Sequence, residues 1–216
     1  MGASADDILR ERRLLPVVVL QRAADAAPLA KALKEGGLPL AEITFRTAAA
    51  AASIEAIRRH EPGVRVGAGT VSSVAQVDEA IGAGAEFLVT PGFNPKVVER
   101  ALAKGIPIYP GVNAPGFIEM ALEFGLSTLK FFPAEASGGI AMIKALSGPY
   151  PSIRFIPTGG VGPANLSAYL ATPSVLACGG SWMVDAKLIA SGDFAGIAKL
   201  TAEAVALAAS PTTERH

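Results

Sequence analysis

Cysteine is nearly missing from this sequence: Cys178 stands alone among 216 residues, so no internal disulfide can form, which fits a reducing compartment. Histidine is almost as scarce. His60 ends a charged segment, IRRHE, and His216 is the last residue, so neither lies near the cysteine and no metal-ligand cluster is spelled out. Cys178 therefore reads as a small buried side chain, both histidines as solvated surface groups, and neither a metal nor another cofactor is expected. Net charge is absent too. With 19 Lys and Arg against 19 Asp and Glu, nothing favours nucleic acid or an anionic membrane, and a small molecule is the expected partner. No apolar run approaches the ~20 residues of a membrane span. The opening MGASADDILRERRLL mixes acids and bases without an apolar core, which predicts neither a signal nor a transit peptide and points to the cytoplasm. Nucleotide signatures are missing as well, since VGAGTV at 66–71 contains neither GxGxxG nor GK[ST].

What is present is apolar and alternating. Half of the residues are hydrophobic and 18% are charged, the composition of a globular protein with chain enough for a sizeable core. A single domain is expected over 1–216, its body at about 15–207 and a flexible tail at 208–216. After a short amphipathic helix at 5–13, strand-like runs fall at 15–20, 40–45, 64–69, 86–90, 106–110, 128–132, 153–158 and 175–179. Helix-like segments lie between them. AAPLAKALKEGG places Leu29, Ala32 and Leu33 on one face and stops at Gly36 and Gly37. VSSVAQVDEAIGAG offers Ser72 or Ser73 as a cap, Val74, Val77 and Ile81 as a packing face, and Gly82 and Gly84 as the stop. Strands alternating with helices imply parallel βαβ units. Eight of them predict a single-domain (β/α)8 barrel of the TIM type with a short N-terminal helix; a doubly wound open sheet is the alternative.

Strands covered on both faces should be apolar throughout, and two of these are not. In AEITFRT, Ala41, Ile43 and Phe45 alternate with Glu42, Thr44 and Arg46; in TLKFF, Leu129 and Phe131 alternate with Thr128, Lys130 and Phe132. In a barrel the polar side lines the interior near the carboxyl ends of the strands, which puts Glu42, Arg46 and Lys130 in one pocket. One reading is a structural ion pair, although such pairs rarely improve on apolar packing. The other is catalytic. An apolar shell of the kind that Phe131, Phe132 and Pro133 would supply favours a free amine, the form that attacks a carbonyl.

A second constellation follows the last two strands. PTGGVGPANL places Gly159 and Gly160 between a strand and a helix whose cap region holds Asn165; CGGSWMVDAKLI places Gly179, Gly180 and Ser181 equivalently. Glycine lets backbone amides approach an anion, a helix N-terminus adds partial positive charge, and the loops after strands 7 and 8 are the usual phosphate cradle of a barrel. Ordinary turn glycines are the plain alternative. Gly67 and Gly69 are read as relieving crowding inside the barrel, leaving Thr70 to offer a hydroxyl.

LKFFPAE around Lys130, EITFRT with Glu42 and Arg46, GAGTV at 67–71, TPGF at 90–93, PTGG at 157–160 and GGSW at 179–182 together closely resemble the 2-keto-3-deoxy-6-phosphogluconate aldolases, many of which also act on 4-hydroxy-2-oxoglutarate. The likeness runs in order from about Leu15 to Leu207. It implies a homotrimeric (β/α)8 barrel, a class I aldolase cleaving a phosphorylated keto acid to pyruvate and glyceraldehyde 3-phosphate in the Entner–Doudoroff pathway. It also implies site roles: Lys130 as Schiff-base lysine, Glu42 as general acid/base, Arg46, Thr70, Pro91 and Phe132 around the pyruvate, and Thr158, Gly159, Gly160, Gly180 and Ser181 at the phosphate. Arg46 could grip the carboxylate with its planar fork or orient Glu42 instead. One departure, PGVNAPGFIE at 110–119, sets Asn113 and Phe117 where relatives more often carry a small Ser- or Thr-rich turn, and bears on the acceptor aldehyde. The competing readings are a relative specialised for the galactose-series or unphosphorylated acid, a metal-dependent aldolase, and a non-catalytic barrel that binds a phosphosugar.

Overall fold

The computed structural model describes residues 4–209. Helix α1 (Ala5–Arg12) opens the chain behind a capping box: the Ser4 hydroxyl accepts from the Asp7 amide, and the Asp7 carboxylate accepts from the Ser4 amide. The helices that follow are α2 (Ala26–Glu35), α3 (Ala50–His60), α4 (Val74–Gly82), α5 (Pro95–Ala103), α6 (Pro115–Glu123), α7 (Gly139–Ser147), α8 (Leu166–Leu170), α9 (Ala186–Ser191) and α10 (Phe194–Ala209). Between them run β1 (Leu14–Val18), β2 (Leu40–Thr44), β3 (Arg65–Gly69), β4 (Leu88–Val89), β5 (Ile108–Tyr109), β6 (Gly111–Val112), β7 (Thr128–Phe131), β8 (Arg154–Pro157) and β9 (Cys178–Gly180).

Every strand pair is parallel, as helical crossovers require. One sheet has the order β5-β4-β3-β2-β1-β9 and the other β6-β7-β8. Parallel bridges from Phe155 to Val175 and from Thr158 to Gly179 carry β8 to the β9 segment. The expected strand at 106–110 becomes two segments because Pro110 has no N–H to donate. Before it β5 pairs with β4, and after it β6 pairs with β7, while the Pro110 carbonyl still accepts from the Lys130 amide at 3.0 Å.

Neighbouring strands in a sheet stand about 4.8 Å apart, so a flat sheet would keep β2 and β7 well separated. Side chains from these two strands nevertheless touch, Glu42 against Lys130. The sheets therefore curl around a shared interior, with the helices outside. At the chain's start, the Arg13 guanidinium donates to the carbonyls of Leu170 and Val175, both at 2.9 Å, and fastens β1 to the approach to β9.

Several expected boundaries move. Ser73 caps α4 and Val77 is buried as predicted, but Val74 is 38% exposed because the first turn of the helix stands clear of the sheet. Residues 47–49 form a turn before α3. Val175 makes only its isolated bridge, and the last strand starts at Cys178. Helix α10 carries residues 208 and 209, placed in the tail by the sequence reading; 210–216, with His216, lie outside the described residues.

Candidate active site

Strand alternation delivers Glu42 and Lys130 to the interior as the sequence predicts. Lys130 is 4% exposed and Glu42 0%, and Lys130 Nζ donates to Glu42 Oε1 at 3.4 Å. A purely structural pair would have its remaining polar atoms satisfied, because a buried orphan acceptor costs about 1–3 kcal/mol. Glu42 Oε2 has no partner among the described residues. The pair also occupies a place cleared for it. A Cβ on Gly69 would fall 2.1 Å from Glu42 Oε1, and one on Gly67 would fall 2.3 Å from the Phe87 ring, so both glycines relieve crowding inside the fold.

Phe132 covers the amine, with Nζ 5.2 Å from its ring centroid. Thr70 follows the last residue of β3 at a φ of 58°, in the left-handed region that a β-branched residue rarely adopts, and its hydroxyl has no partner among the described residues. Such strain commonly marks a functional position. Pro91 and Phe132 line a cavity of about 500 Å³, together with Val71, Phe93, Asn113 and Phe117; Phe132 links it to the pair, neither member of which lines it. Arg46 departs from expectation. Strand β2 ends at Thr44, so alternation no longer governs Arg46; it is exposed in the following turn and bonds neither Glu42 nor any other described residue.

The bridge from Thr158 to Gly179 sets the two glycine loops side by side. Thr158 is buried, and a Cβ on Gly179 would collide with its hydroxyl at 2.2 Å. Gly159 and Gly160 have φ values of 99° and 82°, and no described residue accepts from their amides. Gly180 ends β9 beneath the Trp182 ring, and the exposed Ser181 hydroxyl is unpartnered among the described residues. The helix ends contribute less than predicted. Helix α8 has five residues and begins beyond Asn165; α9 has six and is capped by an acid, Asp185. Asn165 is the N-cap residue of α8 as expected, but its side chain makes no capping bond and instead clamps the loop, accepting from the Gly162 amide at 2.8 Å and donating to the Gly160 carbonyl at 3.0 Å. What the first glycine loop presents is therefore the backbone amides of Gly159 and Gly160, unpartnered among the described residues.

Cys178 is buried, and desolvation pushes its thiol up to about 12, so it is inert rather than nucleophilic. Two residues escaped the sequence reading. Tyr169, fully buried, donates its hydroxyl to Glu135, the glutamate that closes LKFFPAE. The available signal was Gly138-Gly139 just downstream, since a Cβ on Gly139 would crowd both partners at 3.2 Å.

The family model described as KDPG and KHG aldolase matches residues 5–200. The chain belongs to that family. A 2-dehydro-3-deoxy-phosphogluconate aldolase from Treponema pallidum is 53% identical over 195 residues, which are 90% of this chain and 93% of that one. Among solved structures, the KDPG aldolase of Legionella pneumophila, with pyruvate captured at low pH as a covalent carbinolamine intermediate, superposes with a TM-score of 0.90 at 35% identity over 94% of this chain and 98% of that one. The 2-keto-3-deoxy-6-phosphogluconate aldolase of Zymomonas mobilis with 3-phosphoglycerate gives a TM-score of 0.87 at 40% identity over 94% and 95%. Membership of the KDPG and KHG aldolases accords with a buried lysine and carboxylate in a curled parallel sheet.

Proposed function

We propose that this protein is a class I aldolase that cleaves 2-keto-3-deoxy-6-phosphogluconate to pyruvate and glyceraldehyde 3-phosphate through a Schiff base on Lys130, with 4-hydroxy-2-oxoglutarate as a second substrate. The observation that carries this is Lys130 Nζ at 3.4 Å from a buried Glu42 whose second oxygen has no partner among the described residues. The amine adds to the C2 ketone, giving a carbinolamine, and loss of water leaves an iminium that withdraws electrons from the bond between C3 and C4. Glu42, directly or through a water, takes the C4 hydroxyl proton as the aldehyde departs. The electron pair then rests in the enamine, which regains a proton at C3; water releases pyruvate and the free lysine.

In this reading Thr70, Pro91 and Phe132 surround the pyruvate portion, and Arg46 swings in from solvent to meet its carboxylate. The amides of Gly159 and Gly160, with Thr158, Gly180 and Ser181, receive the phosphate. The strand pairings and the two bridges from β8 support a single-domain (β/α)8 barrel in which β5 and β6 are one strand. The same reading takes the protein to be a cytoplasmic homotrimer serving the Entner–Doudoroff pathway.

Borohydride reduction in the presence of pyruvate, followed by intact mass and peptide mapping, tests the mechanism. A reduced pyruvyl adduct on the LKFFPAE segment, lost in Lys130→Arg, is the expected result. No adduct on folded protein would overturn the Schiff base and turn the site into a binding pocket. Glu42→Gln should retain the adduct and lose turnover by roughly 10²–10⁴-fold, the usual worth of a general acid/base.

A further inference from the structure

We propose that Tyr169 is a positioning residue, holding the Glu135 carboxylate aside so that the free amides of Gly159 and Gly160 can receive a phosphate ester; this rests on the reading of that loop as the phosphate end of the aldolase site.

Glu135 stands where two parts of the site meet. It follows the lysine strand, and its backbone amide donates to the Gly159 carbonyl at 3.0 Å while the Ala134 amide donates to the Thr158 carbonyl at 2.8 Å. Its side chain then passes over the loop, because a Cβ on Gly160 would fall 2.5 Å from Glu135 Cγ. An acid is thereby carried past the two amides that no described residue engages. A carboxylate free to turn toward those amides would accept from them itself, or repel an arriving phosphate.

The Tyr169 hydroxyl is the one side-chain donor to that carboxylate among the described residues. It comes from a fully buried ring on α8, so the anchor is rigid. Burial and the nearby carboxylate raise the phenol's pKa, which keeps the donor protonated. On the other side of the loop the Asn165 amide holds Gly160 and Gly162. The loop is therefore clamped by Asn165, while Tyr169 disposes of the charge that its other neighbour brings.

Steady-state kinetics on Tyr169→Phe test this. The phenyl ring keeps the packing and deletes only the hydroxyl. KM for 2-keto-3-deoxy-6-phosphogluconate is expected to rise about five- to twentyfold with kcat within twofold, while KM for 4-hydroxy-2-oxoglutarate, which has no phosphate, stays within twofold. Adding Glu135→Gln to Tyr169→Phe removes the released charge and should restore KM for the phosphorylated substrate to within about threefold. A merely structural tyrosine would raise both KM values, and the second substitution would not rescue them. Glu135→Asp, too short to reach the phenol but still charged, gives the same readout without altering the buried ring. Calorimetric titration with glycerol 3-phosphate separates the inference from the reading beneath it. No binding by the unaltered protein would remove the phosphate end and the inference with it. Equal binding by the unaltered protein and Tyr169→Phe would overturn the inference alone.

Discussion

Lys130 and Glu42 share a space from which neighbouring side chains have been cleared, and the clearance is as specific as the pair. Gly69 shows it best: any Cβ there would overlap the Glu42 carboxylate at 2.1 Å. Gly69→Ala should therefore fold with a displaced glutamate and lose about 10²-fold or more in kcat while still forming the pyruvate adduct; comparing trapping with turnover checks this. Cys178 gives a pH-dependent signal of its own. Burial, partly offset by the Arg13 charge, raises its pKa from 9.0 to about 12. Below pH 9 the thiol is protonated in both folded and unfolded chains, and above it the unfolded chain ionises first. Stability should then fall by about 1.4 kcal/mol per pH unit from this group as pH climbs from 9 toward 12. Urea unfolding across that range should show the slope diminished by this amount in Cys178→Ala; parallel profiles for the two proteins would contradict it. The buried pair was legible in the sequence, since a lysine and a glutamate in apolar strands are conspicuous. The expected place of Arg46 beside that pair was not, because alternation was extended past Thr44, where the strand stops and Arg46 turns out to solvent.

At the scale of elements, glycine and proline decide where backbones meet and part. Pro110 divides one strand into two because a missing N–H interrupts the ladder, something strand-like composition alone does not reveal. Gly36 ends α2 at the point where α10 crosses it, and a Cβ there would fall 2.6 Å from Thr201 Cβ and 2.7 Å from the Ala198 carbonyl. Gly36→Ala should cost about 1–3 kcal/mol by overpacking, measured as a lower urea midpoint, without altering the adduct chemistry. The sequence had assigned Gly36 only a stopping role. It carried no sign of the helix that would lie against it, because contacts between α2 and α10 join residues more than 150 positions apart in the chain.

For the whole molecule, Arg13 is the clasp. Its guanidinium bonds the carbonyls of Leu170 and Val175 at 2.9 Å and that of Leu176 at 3.4 Å, joining the entry to β1 with the end of α8 and the segment that leads into the last strand. Arg13→Ala leaves those carbonyls without their charged donor and should destabilise the fold by about 1.5–3 kcal/mol, read in thermal or urea unfolding. By itself the sequence determined the alternation of strands and helices, the absence of disulfide and nucleotide signatures, and the polar face carrying Glu42 and Lys130, because each follows from local periodicity or composition. Only the tertiary structure decided that β2 and β7 face one another, that one Glu42 oxygen has no partner among the described residues, that the Asn165 side chain clamps a loop from its N-cap position, and that Tyr169 secures Glu135. Those are distances between residues remote in sequence, set by how the sheets curl, and no local pattern encodes them.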